Sequence, residues 1–288
     1  MNAGGIGELG LIARLKPFLS AGAGGDDAAV IADATGFLVV SADMFVEGVH
    51  FDLGWMSPED VGWRCLALAL GDLAAKGADP AWAVASVAIP RAWPVERLEG
   101  VYRGMKELAQ RFRLSIEGGD LSAIDGAAVI SLTVAGRTAD MPLARSQAQA
   151  GWSVGVTGPL GQAAVALRER RPLRFTPLIG EGRRLNLLGL CCGDVSDGLV
   201  REMEKFQAMA GVGCTLWGED VPRAAGASLQ DALTSGEEAE LVCVGPDEIL
   251  KKAGMQSVGK LTADPTVRAI DARGVEIRLS STGYDHFA

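Results

Sequence analysis

Hydrophobic and polar positions along this chain follow two periods, and together they predict both helices and strands. Residues 37–41 form a short apolar run that is typical of a buried strand. Ser57 and Pro58 are followed by two acidic residues, and this order is a strong helix start. The helix should end near Lys76, before Gly77. Because it is apolar on almost every side, we expect it to be buried.

Further elements follow on both sides of a polar stretch at residues 137–151. Pro94 opens a segment with the apolar stripe of an amphipathic helix, which runs to Phe112. We place a turn at Gly118-Gly119-Asp120, between two strands. The predicted strands span 81–89, 114–116, 127–135, 153–157, 212–216, 241–244, 257–261, 267–270 and 275–279, and further helices span 161–170 and 199–210. We therefore expect an α/β (α+β) fold with two mixed domains, residues 1–140 and 141–288.

Composition and charge exclude several classes of protein. Of 288 residues, 48% are hydrophobic and 22% are charged, which is ordinary for a globular protein and argues against a disordered chain. The net charge of −9 argues against a nucleic-acid partner, because phosphate neutralisation needs a surplus of lysine and arginine. No signal peptide and no apolar run of membrane-spanning length is visible, so we expect a cytoplasmic protein with no membrane association.

Cysteine and histidine usage narrows the chemistry further. The five cysteines form no CxxC pair, so we expect small core residues and neither a disulfide framework nor a zinc site. Only two histidines exist, His50 and His286, and neither lies near a GxSxG motif. A Ser-His-Asp hydrolase is therefore disfavoured.

Seven aspartates lie at element ends or in apolar surroundings, where a surface carboxylate is not expected. They are Asp26, Asp27, Asp43, Asp72, Asp120, Asp194 and Asp197. All except Asp72 have a simpler interpretation as a turn former, strand end or helix cap, and for Asp26 a turn explains the residue as well as a site does. Asp72 is the sharpest case, because it lies inside the apolar helix, where an unpaired charge is costly. Few lysines or arginines lie in these segments, so we expect divalent cations, Mg²⁺ above all, to compensate the cluster.

No Walker A sequence and no HRD or DFG set of a protein kinase is present, so nucleotide binding would need another architecture. The aspartates instead belong to motifs that occur in a fixed order. These are Gly25-Asp26-Asp27-Ala28-Ala29, Ser41-Ala42-Asp43-Met44, Val46-Glu47-Gly48-Val49-His50-Phe51, Asp72-Leu73-Ala74-Ala75, Gly118-Gly119-Asp120, Asp194-Val195-Ser196-Asp197-Gly198 and Gly283-Tyr284-Asp285-His286-Phe287. Over nearly the whole chain this order resembles the thiamine-monophosphate kinase family, in the superfamily of aminoimidazole ribonucleotide synthetase.

The resemblance implies an enzyme that transfers the γ-phosphoryl group of ATP to thiamine phosphate and forms thiamine diphosphate and ADP. It implies Mg²⁺ ligands at Asp27, Ser41, Asp43, Asp72, Asp120, Asp194 and Asp197. It implies nucleotide contacts at Gly119, Asp120, Arg145 and Ser196, and acceptor contacts at His50, Glu237 and Tyr284. It also implies a homodimer whose N-terminal domains form the interface and the nucleotide site.

Elementary chemistry agrees with this interpretation. Phosphoryl transfer between two anions depends on positioning and charge neutralisation more than on covalent chemistry. The acceptor is itself a phosphate anion, so no strong general base is needed, which fits a chain with two histidines. Two alternatives stay open. One is another ATP-using enzyme of the superfamily, and the other is a homologue that binds nucleotide or thiamine phosphate without turnover.

Overall fold

The computed structural model describes residues 3–20 and 23–287, and within these ranges the chain forms two β-sheets with helices packed on them. The first sheet has the order β1-β2-β5-β3-β4, in which β3 and β4 are parallel and the other neighbours are antiparallel. Its strands are β1 (Ala29–Asp33), β2 (Gly36–Val46), β3 (Asp79–Pro90), β4 (Ser115–Ile124) and β5 (Val129–Thr138). The predicted α/β class is confirmed.

The second sheet is formed by residues after 150 and has the order β11-β8-β10-β6-β9-β7. Its strands are β6 (Ser153–Val156), β7 (Cys191–Asp194), β8 (Gly213–Trp217), β9 (Leu241–Gly245), β10 (Ser257–Thr262) and β11 (Val267–Ile270). The helices in chain order are α1 (Gly7–Leu15), α2 (Pro58–Ala75), α3 (Val95–Phe112), α4 (Gln162–Arg168), α5 (Ile179–Leu187), α6 (Leu199–Ala210), α7 (Leu229–Thr234) and α8 (Asp247–Lys252). Short 3-10 helices span Ala3–Gly5, Lys16–Phe18, Arg145–Gln147 and Gly218–Asp220.

Helix α2 is the centre of the molecule, and its local sequence explains both its start and its burial. Ser57 and Asp60 form a reciprocal capping box, and Pro58 occupies the first turn. Leu66 and Leu70 are fully buried in a core that also contains residues of the second half, such as Leu185. The prediction of a buried helix is confirmed. Helix α2 is apolar on almost every side because it packs between the two halves of the chain.

The crossing of α2 and α3 depends on small residues. A Cβ atom added to Gly62 would lie 1.8 Å from the carbonyl oxygen of Val101, so the two backbones can approach only because Gly62 has no side chain. The close contact fixes α2 against α3 and the first sheet. Asp72 and the other α2 residues that face the second half of the chain therefore lie on a firmly packed helix.

Two predicted features differ from the structure. Gly118-Gly119-Asp120 does not form a turn, because it lies inside β4 and pairs with β3 in parallel register. A Cβ atom on Gly119 would lie 1.7 Å from the carbonyl oxygen of Ala85, so close strand packing is the local reason for glycine there. Residues 275–279 form only an isolated bridge between Ile270 and Glu276.

Two other expectations concern the cysteines and membrane-spanning helices. The five cysteines are all buried, as expected for core residues. Across residues 3–20 and 23–287, no helix has the length and apolar composition that crossing a membrane requires.

Candidate active site

A cavity of about 1080 Å³ lies between the first sheet, helix α2 and the second half of the chain. Every predicted site residue except Gly119 and Asp120 lines this one cavity. Residues from the N-terminal helix α1 and from the C-terminal segment around Tyr284 complete the wall. The structure therefore brings together side chains that are more than 250 residues apart in the sequence.

Three carboxylates form the centre of the site. Asp27 precedes β1, Asp72 lies in α2 and Asp194 ends β7, and one oxygen of each lies within 4.8 Å of those of the other two. Ser41 donates a hydrogen bond of 2.5 Å to Oδ2 of Asp72 and one of 3.1 Å to the carbonyl oxygen of Asp27. Asp43, two residues along β2 on the same face, lines the same cavity.

The electrostatics of this cluster favour a bound cation. Burial, followed by repulsion from neighbouring carboxylates, raises the pKa of Asp72 and of Asp194 well above the ordinary value. Burial and the nearby charge of Asp197 raise the pKa of Asp43 to about 6. A divalent cation would remove this repulsion, and carboxylate and hydroxyl oxygens are the donors that Mg²⁺ prefers. The donor set formed by Asp27, Ser41, Asp43, Asp72 and Asp194 therefore fits magnesium.

The expectation that cationic side chains would be scarce near the aspartates is wrong for Asp26, Asp27 and Asp197. Asp27 pairs with Arg145 at 2.5 Å and with Lys76 at 3.0 Å, and Asp26 pairs with Lys76 at 2.5 Å. Burial alone would raise the pKa of Asp27, but Arg145 and Lys76 outweigh burial and hold that pKa below its ordinary value. Arg145 is 118 residues from Asp27 in sequence and Lys76 is 50 residues from Asp26, so inspection of local segments could not find these partners.

Arg145 is itself buried, with 2% of its side chain exposed, inside a network of charges. Besides Asp27, it contacts Glu202 at 2.6 Å, and its guanidinium carbon lies 5.6 Å from the centre of the Phe206 ring. Lys205 continues the network, with its Nζ atom 2.6 Å from Glu202 and 2.7 Å from Asp197. The network fixes Arg145 in the cavity wall and couples it to the loop that carries Asp197.

Lys205 also donates a hydrogen bond of 3.1 Å to the hydroxyl of Ser196. The loop that carries Ser196 and Asp197 joins the acidic centre to the other end of the cavity. The amide of Glu237 donates to the carbonyl oxygen of Ser196 at 2.7 Å, and the amide of Tyr284 donates to that of Asp197 at 2.9 Å. Backbone hydrogen bonds therefore connect Ser196 and Asp197 directly to Glu237 and Tyr284.

The other end of the cavity contains aromatic rings and the ion pair of Glu237 with Arg64. The ring of His286 lies 5.0 Å from that of His50 and 4.8 Å from that of Tyr284, measured between centroids. Glu237 forms an ion pair with Arg64. Glu237 has a left-handed backbone, with φ of 56°, and one of its buried carboxylate oxygens accepts no hydrogen bond from the described residues. This end of the cavity offers flat rings and a carboxylate to a ligand.

Gly119 and Asp120 do not join this cavity within one chain. The strand register places Asp43 and Gly119 in one row, three strands apart, which corresponds to about 14 Å. Asp120 lies in the neighbouring row, with the exposed Met44, so it faces the side of the sheet opposite to Asp43. Strand β4 is the edge of the sheet, and Asp120 is exposed there.

Comparison with known proteins decides the family. The family model described as AIR synthase related protein, N-terminal domain, matches residues 25–138. The thiamine-monophosphate kinase of Synechococcus elongatus is 31% identical to the chain, over 98% of this chain and 97% of that protein. The chain belongs to the thiamine-monophosphate kinase family. The resemblance inferred from the motifs is confirmed.

Two further relatives of the family agree with this result. The thiamine-monophosphate kinase of Rhodopirellula baltica is 34% identical over 78% of this chain and 76% of that protein. The solved structure of AaThiL complexed with AMPPCP and TMP matches with a TM-score of 0.87 at 27% identity, and the match covers 99% of both chains. The predicted aminoimidazole ribonucleotide synthetase-like fold is confirmed by these matches.

Several charged and aromatic residues at or beside the cavity were not among the predicted site residues. They are Arg64, Lys76, Glu202, Lys205 and His286. A signal existed for two of them. His286 is one of only two histidines in the sequence. Lys76 directly follows an apolar helix, and a lysine in that position is expected to be buried with the helix.

Proposed function

We propose that this chain transfers the γ-phosphoryl group of ATP to thiamine monophosphate and forms thiamine diphosphate and ADP. The observation that carries the proposal is a single cavity with acidic donors for a cation at one end and aromatic residues at the other, in a member of this kinase family. The relative solved with AMPPCP and TMP supports a site that holds a nucleotide and an acceptor together.

Mg²⁺ is the metal that the donor set fits. Asp27, Asp43, Asp72 and Asp194 would hold it, with Ser41 as a further oxygen donor and Asp197 at the edge of the cluster. When bound, magnesium neutralises phosphate charge and lowers the repulsion between the nucleotide and the acceptor. The rigid support of α2 keeps Asp72 in place while the phosphates bind.

The nucleotide contacts that we propose are Ser196, Arg145, Gly119 and Asp120. Ser196 lines the cavity beside Lys205, which adds positive charge for phosphate oxygens. Asp120 can take part only if a second chain brings β4 to the site, because within one chain it faces away from the cluster. We therefore propose a homodimer in which the first sheets of two chains meet and Asp120 acts across the interface.

The acceptor contacts that we propose are His50, Glu237 and Tyr284. The rings of His50 and Tyr284 give flat surfaces for an aromatic ligand, and the carboxylate of Glu237 complements a cationic ring. Burial lowers the pKa of His50 from its ordinary value, so this ring is neutral near pH 7. No proton has to leave a phosphate acceptor before attack, so His50 acts by contact and not as a base.

Two domains with a boundary near residue 140 are also part of this proposal. The first sheet ends at Thr138, and the second begins at Ser153. The core around α2 contains residues of both halves, which would keep the two domains in a fixed relation.

The direct test is an assay of purified protein with ATP, Mg²⁺ and thiamine monophosphate, in which products are separated by chromatography. We expect equal amounts of thiamine diphosphate and ADP. Tyr284→Ala should raise the KM for thiamine monophosphate about tenfold and leave the KM for ATP unchanged, because only the acceptor end loses a ring. Tight binding of thiamine monophosphate without any product would contradict the proposal.

A further inference from the structure

Lys76 is a lysine in a place where lysine is rarely found. It caps the C-terminus of α2, and only 1% of its side chain is exposed. Its Nζ atom lies 2.5 Å from Oδ1 of Asp26 and 3.0 Å from Oδ2 of Asp27. It also donates a longer hydrogen bond, 3.4 Å, to the carbonyl oxygen of Cys192. The ammonium group therefore lies between two carboxylates at the floor of the acidic centre.

The negative charges of the acidic centre, formed by Asp27, Asp72 and Asp194, are not all neutralised by protein side chains. Both oxygens of Asp27 face cationic side chains, since Oδ1 contacts Arg145 and Oδ2 contacts Lys76. Asp72 and Asp194 form no ion pair with the residues that the structure describes, and the polar partner of Asp72 is the hydroxyl of Ser41. Asp43 likewise forms no ion pair within the described residues, so the carboxylates without a cationic protein partner are Asp43, Asp72 and Asp194.

A divalent ion and the Lys76 ammonium cannot share the same position. Magnesium binds carboxylate oxygen at about 2.0–2.1 Å, so an ion bridging Asp26 and Asp27 would take the space that Nζ now fills. The ammonium is covalently fixed, so it stays when metal is removed. Its presence therefore sets how many divalent ions the cluster can accept.

We infer that the Lys76 ammonium takes the cation position between Asp26 and Asp27, so that no divalent ion bridges these two carboxylates and divalent ions bind where Asp27 meets Asp72 and Asp194. The inference rests on the proposed function, because it concerns the metal that function requires. Lys76 is a positioning residue, since it holds Asp27 towards the cluster and does not face the substrate. It reduces the number of divalent ions bound and offsets the charge of Asp26 and Asp27 in metal-free protein.

The test is a Mn²⁺ titration without nucleotide, followed by electron paramagnetic resonance, on wild type, Lys76→Met and Lys76→Arg. Lys76→Met should bind one more Mn²⁺ per chain than wild type, because the vacated carboxylates accept an ion. Lys76→Arg should keep the wild-type count, because it restores the positive charge. Lys251→Met removes the same charge from an exposed pair with Asp247 and should also leave the count unchanged. Equal counts in wild type and Lys76→Met would overturn the inference.

A second measurement avoids the variants, in case Lys76→Met does not fold. Wild-type crystals soaked in Mn²⁺ should show anomalous density beside Asp72 and Asp194 and none between Asp26 and Asp27. Density between Asp26 and Asp27, or none at the cluster, would overturn the inference. Neither experiment measures turnover, so failure of the proposed kinase activity would be seen separately, as absence of thiamine diphosphate.

Discussion

Asp72→Asn should have opposite effects on the stability of the metal-free protein and on its activity. The substitution removes a buried negative charge but keeps an oxygen that can accept the hydrogen bond from Ser41. Without metal, Asp72 is repelled by Asp43 and Asp194, and burial adds to that cost. The variant should therefore be more stable than wild type in EDTA, although it loses a proposed ligand of the metal.

The size of the effect follows from the distances. Two unit charges 4.8 Å apart, the limit within which the oxygens of Asp72 and Asp194 lie, repel by about 3.5 kcal/mol at an effective dielectric constant near 20. Partial protonation lowers this repulsion, so we expect a gain of about 1–3 kcal/mol. That corresponds to a rise in Tm of about 2–10 °C. The gain should grow as pH rises, because the raised pKa of Asp72 means that its ionised form is the destabilising one.

Thermal unfolding in EDTA and in excess Mg²⁺ measures this effect. Mg²⁺ should raise the Tm of wild type and have little effect on Asp72→Asn, and kcat should fall about 100-fold or more. Asp79→Asn, at an exposed pair with Arg183, is the matched control and should behave as wild type. If Asp72→Asn had a lower Tm in EDTA and kept the full response to Mg²⁺, the reasoning about the cluster would be refuted.

Three other predictions test the fold, the acceptor end and the dimer. Gly62→Ala should lower the free energy of unfolding in urea by about 2 kcal/mol, because its Cβ would meet the carbonyl oxygen of Val101. Gly180→Ala in α5 meets nothing and should not lower it, because alanine favours a helix more than glycine does. Arg64→Ala leaves Glu237 without its ion-pair partner and should raise the KM for thiamine monophosphate about tenfold, with the KM for ATP unchanged; equal changes in both would contradict the proposed acceptor site. Mixing inactive Asp120→Ala with inactive Asp72→Asn should restore about a quarter of wild-type activity if Asp120 acts across a dimer, and no recovery after subunit exchange would exclude that arrangement.

Helix α2 could be predicted from the sequence, because every signal for it is local. The capping residues at Ser57 and Pro58 and the apolar stretch after them define its start and its burial. The family motifs also indicated residues that, apart from Gly119 and Asp120, the fold brings together around one cavity. A functional role for Asp72 could also be predicted without the fold, because a carboxylate inside an apolar helix is unusual in itself.

Contacts over long distances in sequence could not be predicted in this way. The partners of Asp27 are Lys76 and Arg145, which only the folded chain brings to it. The glycines of Gly118-Gly119-Asp120 favour a turn locally, whereas parallel pairing with β3 places them in a strand and requires glycine at position 119 for close packing. The partners of Asp27 and the strand at residues 118–120 both depend on tertiary contacts, which outweigh local sequence preference.

The most direct test of the central claim follows the transferred group itself. Purified protein is incubated with ATP labelled at the γ-phosphate with ³²P, thiamine monophosphate and Mg²⁺, and the labelled products are separated. The account predicts label in thiamine diphosphate, in proportion to the ADP formed, and none when Mg²⁺ is replaced by EDTA. Label that appears only in inorganic phosphate, or no transfer while thiamine monophosphate is bound, would contradict it.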